Sequence, residues 1–293
     1  MAEPFDDRER EQESHYRHPW SHQGPAGRHD QVTWYTSRME PSLLSLAGKV
    51  AVITGGSRGI GRAIALAYAE HGADVVIASR KLDNCREVAD DISEATGRKA
   101  LAVGTHVGRW EDCQRLADTV LEEFGRCDIL VNNAGMSPLY GKVTDITEEY
   151  YDKVSSVNLK GPFALSIRLG GHMYDHGGGS IINISSIGSI RPSRVEVVYG
   201  MAKSGLNAMT IALADAFGPK VRVNCILPGA VLTDISHAWS DETIANAHKT
   251  PLGRAGYADD FRGAALFLAS EASAWITGTC IRVDGGMARQ LGL

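Results

Sequence analysis

The chain has few of the features that would assign it to a membrane, a nucleic acid or a disulfide-stapled exterior. Its 293 residues contain no run of the roughly 18 uninterrupted apolar residues that a membrane span requires. There is no basic excess either. The formal net charge is −5 and the charges are interspersed, which argues against a nucleic-acid partner. The N-terminus opens on Glu3, Asp6, Asp7 and Arg8 rather than on an apolar signal segment, so the expected compartment is the cytoplasm. Cysteine is sparse: Cys85, Cys113, Cys127, Cys225 and Cys280 include no CxxC pair. An odd, dispersed set reads as reduced thiols, with no disulfide frame and no zinc site.

Residues 1 to about 45 are charged, His-rich and almost free of aliphatics, too few to bury a surface that would order them. His15, His18, His22 and His29 invite a metal reading. No cysteine partners them, however, and their spacing fits none of the zinc patterns, so a disordered or extended tail without metal is expected. Met39 is also a candidate translation start, because the folded pattern begins soon after it.

What is present from Leu43 onward is alternation. The runs at 49–54, 74–79, 100–104, 128–132, 180–185, 221–226 and 279–283 are short, mostly apolar and rich in β-branched residues, as buried strands are. Amphipathic stretches such as 60–71, 82–96 and 109–124 lie between them, with Gly72, Gly97 and Gly125 at their ends. Strand–helix alternation predicts βαβ units and a parallel sheet covered on both faces. No repeat or linker interrupts it, so residues 46–293 are expected to form one α/β domain.

The first strand runs into Thr54-Gly55-Gly56-Ser57-Arg58-Gly59-Ile60-Gly61, and a helix follows. Gly55 suits a tight turn, Gly59 a close approach of backbone to a pyrophosphate, and Gly61 close helix–strand packing. The helix N-terminus offers its N–H groups to the phosphates. A structural turn would look similar, but this position between strand and helix favours a dinucleotide. NAD sites usually carry an acid about 20 residues past such a loop. Here the second strand ends in Ala78-Ser79-Arg80-Lys81, with no carboxylate to repel a 2′-phosphate. Arg80 can hold that phosphate with its fork, Ser79 can donate, and Arg58 is a second cation, so NADP(H) is expected over NAD.

Tyr199 and Lys203 stand at i, i+4, one helical face. A lysine ammonium one turn away is expected to lower the phenol pKa toward the working range of an acid/base. Alone, the spacing suits an ordinary surface pair equally well. It has company, though. Ser186 lies at the end of the fifth strand and Asn132-Asn133-Ala134-Gly135 at the end of the fourth. Asn158 sits in VSSVNLKG, Pro228-Gly229 closes the sixth strand, and Val283-Asp284-Gly285-Gly286 the last.

In these motifs, over about residues 46–287, the chain resembles the short-chain dehydrogenase/reductase family, in its common single-domain branch that includes 3-oxoacyl reductases. The resemblance implies a Rossmann-type, doubly wound sheet of seven parallel strands in the order 3-2-1-4-5-6-7, with the site at their C-terminal ends. It implies that Tyr199 is the general acid in carbonyl reduction and the base in alcohol oxidation. Lys203 would tune that tyrosine and bind the nicotinamide ribose, Ser186 would donate to the substrate oxygen, and Asn158 would hold a proton-relay water. Asn132, Ala134 and Gly135 would line the cofactor cleft, with Pro228, Gly229, Val231 and Thr233 along its far side and Thr233 on the carboxamide. The family usually has Asp-Val after the third strand, whereas this chain has His106-Val107, which leaves the adenine contact open.

Substrate contacts are expected from 136–140, 187–198 and 232–251, with Leu232 and Trp239 on the inner face of a lid. Arg191 and Arg194 either attract an anionic group or are rim charges beside Glu196. The leading expectation is NADPH-linked reduction of a 3-oxoacyl thioester or similar ketone. The alternatives are a sugar or polyol dehydrogenase and, in another class, an idle NADP-binding protein. By resemblance, helices containing 158–170 and 197–217 would form one interface and the last strand a second, giving a homotetramer. Met209, Ala212, Leu213 and Ala216 suit that interface and suit plain core packing equally well.

Overall fold

Each β segment pairs side by side with its neighbours because its residues are apolar toward both faces. The computed structural model describes residues 42–233, 236 and 241–288; the expectations for the tail, its histidines, Met39 and Trp239 fall outside those residues. The strands are β1 (Val50–Thr54), β2 (Asp74–Ser79), β3 (Ala100–Gly104), β4 (Ile129–Asn132), β5 (Gly179–Ile184), β6 (Val221–Pro228), β7 (Val231–Leu232), β8 (Gly256–Tyr257) and β9 (Cys280–Val283). Seven of them form one all-parallel sheet in the order β3-β2-β1-β4-β5-β6-β9. This is the parallel sheet anticipated from the alternation, in the doubly wound Rossmann-type order that the family resemblance implies. The small parallel pair β7–β8 had no signature in the sequence, since two-residue strands carry no period.

The helices are α1 (Gly59–Glu70), α2 (Leu82–Thr96), α3 (Trp110–Phe124), α4 (Glu148–Ser155), α5 (Gly161–Asp175), α6 (Val197–Ala216), α7 (Asp241–Ala247) and α8 (Arg262–Ala269). Successive strand residues point to opposite faces, so β1 feeds two cores. Ala51 and Ile53 pack with Ile64, Tyr68, Ile92, Phe261 and Leu268 from α1, α2 and the α8 region. Val50 and Val52 pack on the other face with Leu116, Val120, Leu165, Leu169 and Leu213 from α3, α5 and α6. Truncating a core side chain such as the fully buried Leu130 to alanine would cost about 2–5 kcal/mol. Leu46 is the first residue of this core.

Because β1 is hydrogen-bonded to both β2 and β4, the strand order reverses between β1 and β4. A crevice opens at the C-terminal ends of strands at such a switch point. The segments that end there are Thr54–Gly61, Asn132–Gly135 and Ser185–Ser186.

Candidate active site

The loop after β1 is held by β4. Thr54 Oγ1 donates to Val131 O at 3.2 Å and accepts from Asn133 N at 3.0 Å and Ala134 N at 3.1 Å. Asn133 Nδ2 reaches back and donates to Thr54 O at 2.8 Å and Gly55 O at 3.2 Å. Thr54 and Asn133 therefore shape the Gly loop, a role the motif reading did not assign. The paired polar residues at the two adjacent strand ends were the available signal. Gly55 adopts φ 64°, and a Cβ there would lie 2.8 Å from Asn133 Nδ2. Gly61 has no room for one at all, with Gly55 O at 2.4 Å. Arg58 precedes α1 with no side-chain cap, so the first-turn N–H groups stay available to an anion. Ile60 packs on the core, while Thr233 closes over Gly59, its Cγ2 3.4 Å from where a Cβ would sit.

On the β2 side, Ser57 Oγ and Ser79 Oγ are 2.9 Å apart, and Arg80 and Lys81 are exposed at the strand end. At the end of β3, Val107 is buried and Thr105 Oγ1 and His106 Nδ1 are buried without a partner among the described residues. An orphaned imidazole nitrogen at the end of β3, on the same sheet edge as the Gly loop and the α1 N-terminus, is what a nucleotide's polar edge could satisfy, so these residues fit a dinucleotide. Farther along, Pro228 pairs with Val283 across β6–β9, Gly229 lies against Asp284, and Val231 is buried in the core. Asn132 is turned inward. Its Nδ2 donates to Ser166 Oγ at 3.0 Å and Asn183 Oδ1 at 2.9 Å, in a buried network that continues to Thr210.

Ser186, Tyr199 and Lys203 come together where β5 meets α6. Ser185 Oγ donates to Lys203 O at 3.1 Å, Ser204 Oγ to Ser189 O at 2.7 Å, and Asn207 Nδ2 to Ser189 Oγ at 2.8 Å. These bonds fix the turn that carries Ser186 against the helix that carries Tyr199. Lys203 is buried, and its Nζ donates to Ile184 O at 2.8 Å and lies 5.6 Å from the Tyr199 ring centre. Burial pulls the Lys203 ammonium down to about 8. The phenol departs from expectation: it is not lowered. Burial pushes Tyr199 up to about 12; a hydrogen bond with Ser186 opposes this, and the Glu196 charge adds to it. Desolvation prevails, and the Lys203 ammonium is engaged with the Ile184 carbonyl.

Asn158 lies on a π-helical turn, Ser156–Lys160, between α4 and α5, and is fully buried. Such turns recur at functional sites. Its Nδ2 donates to Met136 O at 2.8 Å and Val154 O at 2.9 Å, and its Oδ1 accepts from Met136 N at 3.3 Å. It clamps the segment after Gly135. A Cβ on Gly135 would sit 3.0 Å from Asn158 Oδ1 and 3.5 Å from Lys203 Nζ, so this glycine keeps the space between them open. Arg191 and Arg194 are exposed, as rim charges are. Met209 and Leu213 pack into the core, whereas Ala212 and Ala216 are exposed.

A family model described as enoyl-(acyl carrier protein) reductase matches residues 55–288. The human protein dehydrogenase/reductase SDR family member 4 is 37% identical over 268 residues, 88% of this chain and 95% of its own length. The chain belongs to the short-chain dehydrogenase/reductase family. Two solved relatives of this short-chain dehydrogenase/reductase use NADPH. The NADPH-dependent 3-quinuclidinone reductase of Rhodotorula rubra superposes with a TM-score of 0.81 at 30% identity, covering 89% of this chain and 99% of its own. The L-sorbose reductase of Gluconobacter frateurii, solved with NADPH and L-sorbose, gives 0.79 at 31%, covering 85% and 99%. This short-chain dehydrogenase/reductase is thus a member of a nicotinamide-linked oxidoreductase family. Among its described residues no helix is long and apolar enough to cross a membrane, and no cluster of three or more His, Cys, Asp or Glu is placed to hold a metal.

Proposed function

We propose that the protein is an NADPH-dependent reductase of ketones, with Tyr199 as the acid. The observation that carries this reading is the meeting of Ser186, Tyr199 and the buried Lys203 where β5 meets α6, with Lys203 Nζ 5.6 Å from the Tyr199 ring centre on the same helix. The Tyr199 phenol, held up by burial, keeps its proton at neutral pH, the form that protonates a carbonyl oxygen during reduction. When bound, the nicotinamide supplies the hydride. Ser186 donates to the same oxygen and stabilises the charge that develops there. Lys203 holds a positive charge beside the cofactor ribose, and Asn158 fixes the Met136 backbone that borders the reacting space. Gly55, Gly59 and Gly61 admit the pyrophosphate, and His106 and Val107 border the adenine. Ser57, Arg58, Ser79, Arg80 and Lys81 form the side that receives a 2′-phosphate, with no carboxylate among them.

Candidate substrates include 3-oxoacyl thioesters and sugars, the latter favoured by the L-sorbose reductase relative. The deciding experiment follows NADPH and NADH oxidation against a panel of 3-oxoacyl thioesters, diketones and sugars, beside Tyr199→Phe. Turnover with NADPH that disappears in the variant supports the reading. NADPH binding without turnover of any substrate would favour the idle-binding alternative, and preference for NADH would overturn the assignment of Ser79, Arg80 and Arg58. Exposed Phe163 and Ile167 on α5, with Met201 and Ile211 on α6, favour assembly into a homotetramer, which light scattering on the purified protein would test.

A further inference from the structure

Glu196 stands in the cap position before α6, yet its carboxylate makes no hydrogen bond to the helix it precedes. It faces the cleft instead. Oε1 accepts from Ser137 Oγ, on the segment after β4, at 3.4 Å. Oε2 lies 3.6 Å from the point where a Cβ on Gly188 would sit, and Ser186 Oγ and Tyr199 Cε1 lie 3.3 and 3.8 Å from that same point. The carboxylate thus borders the space where the carbonyl must dock.

Two physical facts make this position costly without a partner. Burial pushes the Glu196 carboxyl upward, and no cation among the described residues lies within ion-pair distance of it. Its charge also pushes the Tyr199 phenol up, which opposes proton donation. The neighbours are aromatic. Tyr140 OH donates to Arg194 O at 2.8 Å and accepts from Val197 N at 3.0 Å, pinning its hydroxyl on the backbone either side of Glu196. Tyr150 meets Tyr140 edge-on at 5.6 Å, and its phenol is pushed up by burial first, then by Tyr140 and Glu196. A half-buried carboxylate without a cation, close enough to two tyrosines to shift their phenols, is the chemistry that receives an ammonium group by charge.

We propose that Glu196 is the specificity residue of this site and that it selects small amino ketones, whose ammonium group it holds while the carbonyl meets Ser186 and Tyr199. The proposal rests on the ketone-reductase reading above. In the step, the carbonyl carbon takes hydride from NADPH and the oxygen takes the Tyr199 proton, giving a secondary alcohol and NADP⁺. The nitrogen keeps its charge throughout. The exposed Arg191 and Arg194 belong to the same segment, and they would disfavour a cation only if they turned into the cleft.

The test compares two ketones of one shape, 1,1-dimethyl-4-oxopiperidinium, a permanent cation, and neutral 4,4-dimethylcyclohexanone. The reading is the ratio of their kcat/KM values within each protein, so that any general loss of activity cancels. The native protein should favour the cation by about tenfold or more, Glu196→Gln should bring the ratio near one, and Glu196→Asp should keep part of the preference. A ratio near one in the native protein, or an undiminished one in Glu196→Gln, overturns the proposal. If neither ketone is turned over, the reductase reading fails separately. The thermal shift that each ketone gives in the presence of NADPH then decides the specificity claim: a shift with the cation alone, lost in Glu196→Gln, supports it, and equal or absent shifts refute it.

Discussion

Asn133 and Gly61 are packed so closely that a single added carbon on the glycine would lie 2.5 Å from the asparagine Nδ2. The amide occupies that place because it bridges Thr54 O and Gly55 O, locking the end of β4 to the loop after β1. The architecture of the Gly loop is therefore a joint property of two segments far apart in sequence.

Gly61→Ala is expected to abolish NADPH binding, because the new methyl must displace both Gly55 O and the asparagine amide. Titration of NADPH fluorescence would read this. An unchanged Kd would show that α1 can shift outward at no cost to the loop.

Asn133→Ala removes two donors and leaves two loop carbonyls without that partner. The expected loss of stability is about 1–3 kcal/mol, with weaker NADPH binding beyond what the lower stability explains. Denaturant unfolding with and without NADPH separates the two effects. A variant with native stability and affinity would remove Asn133 from the account.

Lys203→Met should melt higher than the native protein at pH 7 while losing turnover. The folded protein binds the Lys203 proton less tightly than the unfolded chain, with the ammonium brought down to about 8. Below about pH 8 the buried charge opposes folding, on the order of 3 kcal/mol at neutral pH, and this penalty fades as pH rises toward the ordinary lysine range near 10.4. The gap in Tm between the two proteins should narrow from pH 7 to pH 10. A lower melting point for the variant at pH 7 would show that the ammonium is stabilised by its surroundings.

The pH profile of ketone reduction should stay level through neutrality and decline above about pH 8, as Lys203 loses its proton. Tyr199, pushed up to about 12, stays protonated over that range. A profile that falls already between pH 6 and 7 would point to a different titrating group.

Arg80→Glu should weaken NADPH binding by about tenfold or more and leave NADH binding less affected, since the change places an anion against a 2′-phosphate. Equal effects on both cofactors would mean that Arg80 does not face that phosphate.

The sequence by itself determined the seven strands of the main sheet, their order through a recognised motif series, and the positions of the Gly loop and of Ser186, Tyr199 and Lys203. Local patterns sufficed there, because buried parallel strands are continuous apolar runs and a phosphate loop needs glycine at fixed offsets. Other features depended on contacts between remote segments. The bridge from Asn133 to Gly55, the inward turn of Asn132, the Met136 clamp by Asn158 and the approach of Glu196 to Ser137 all arise where segments distant in sequence meet. The direction of the Tyr199 shift was decided in the same way. Spacing on one helix predicts a lysine near the phenol, but only the packed structure sets how much water each group loses, and here that desolvation prevails.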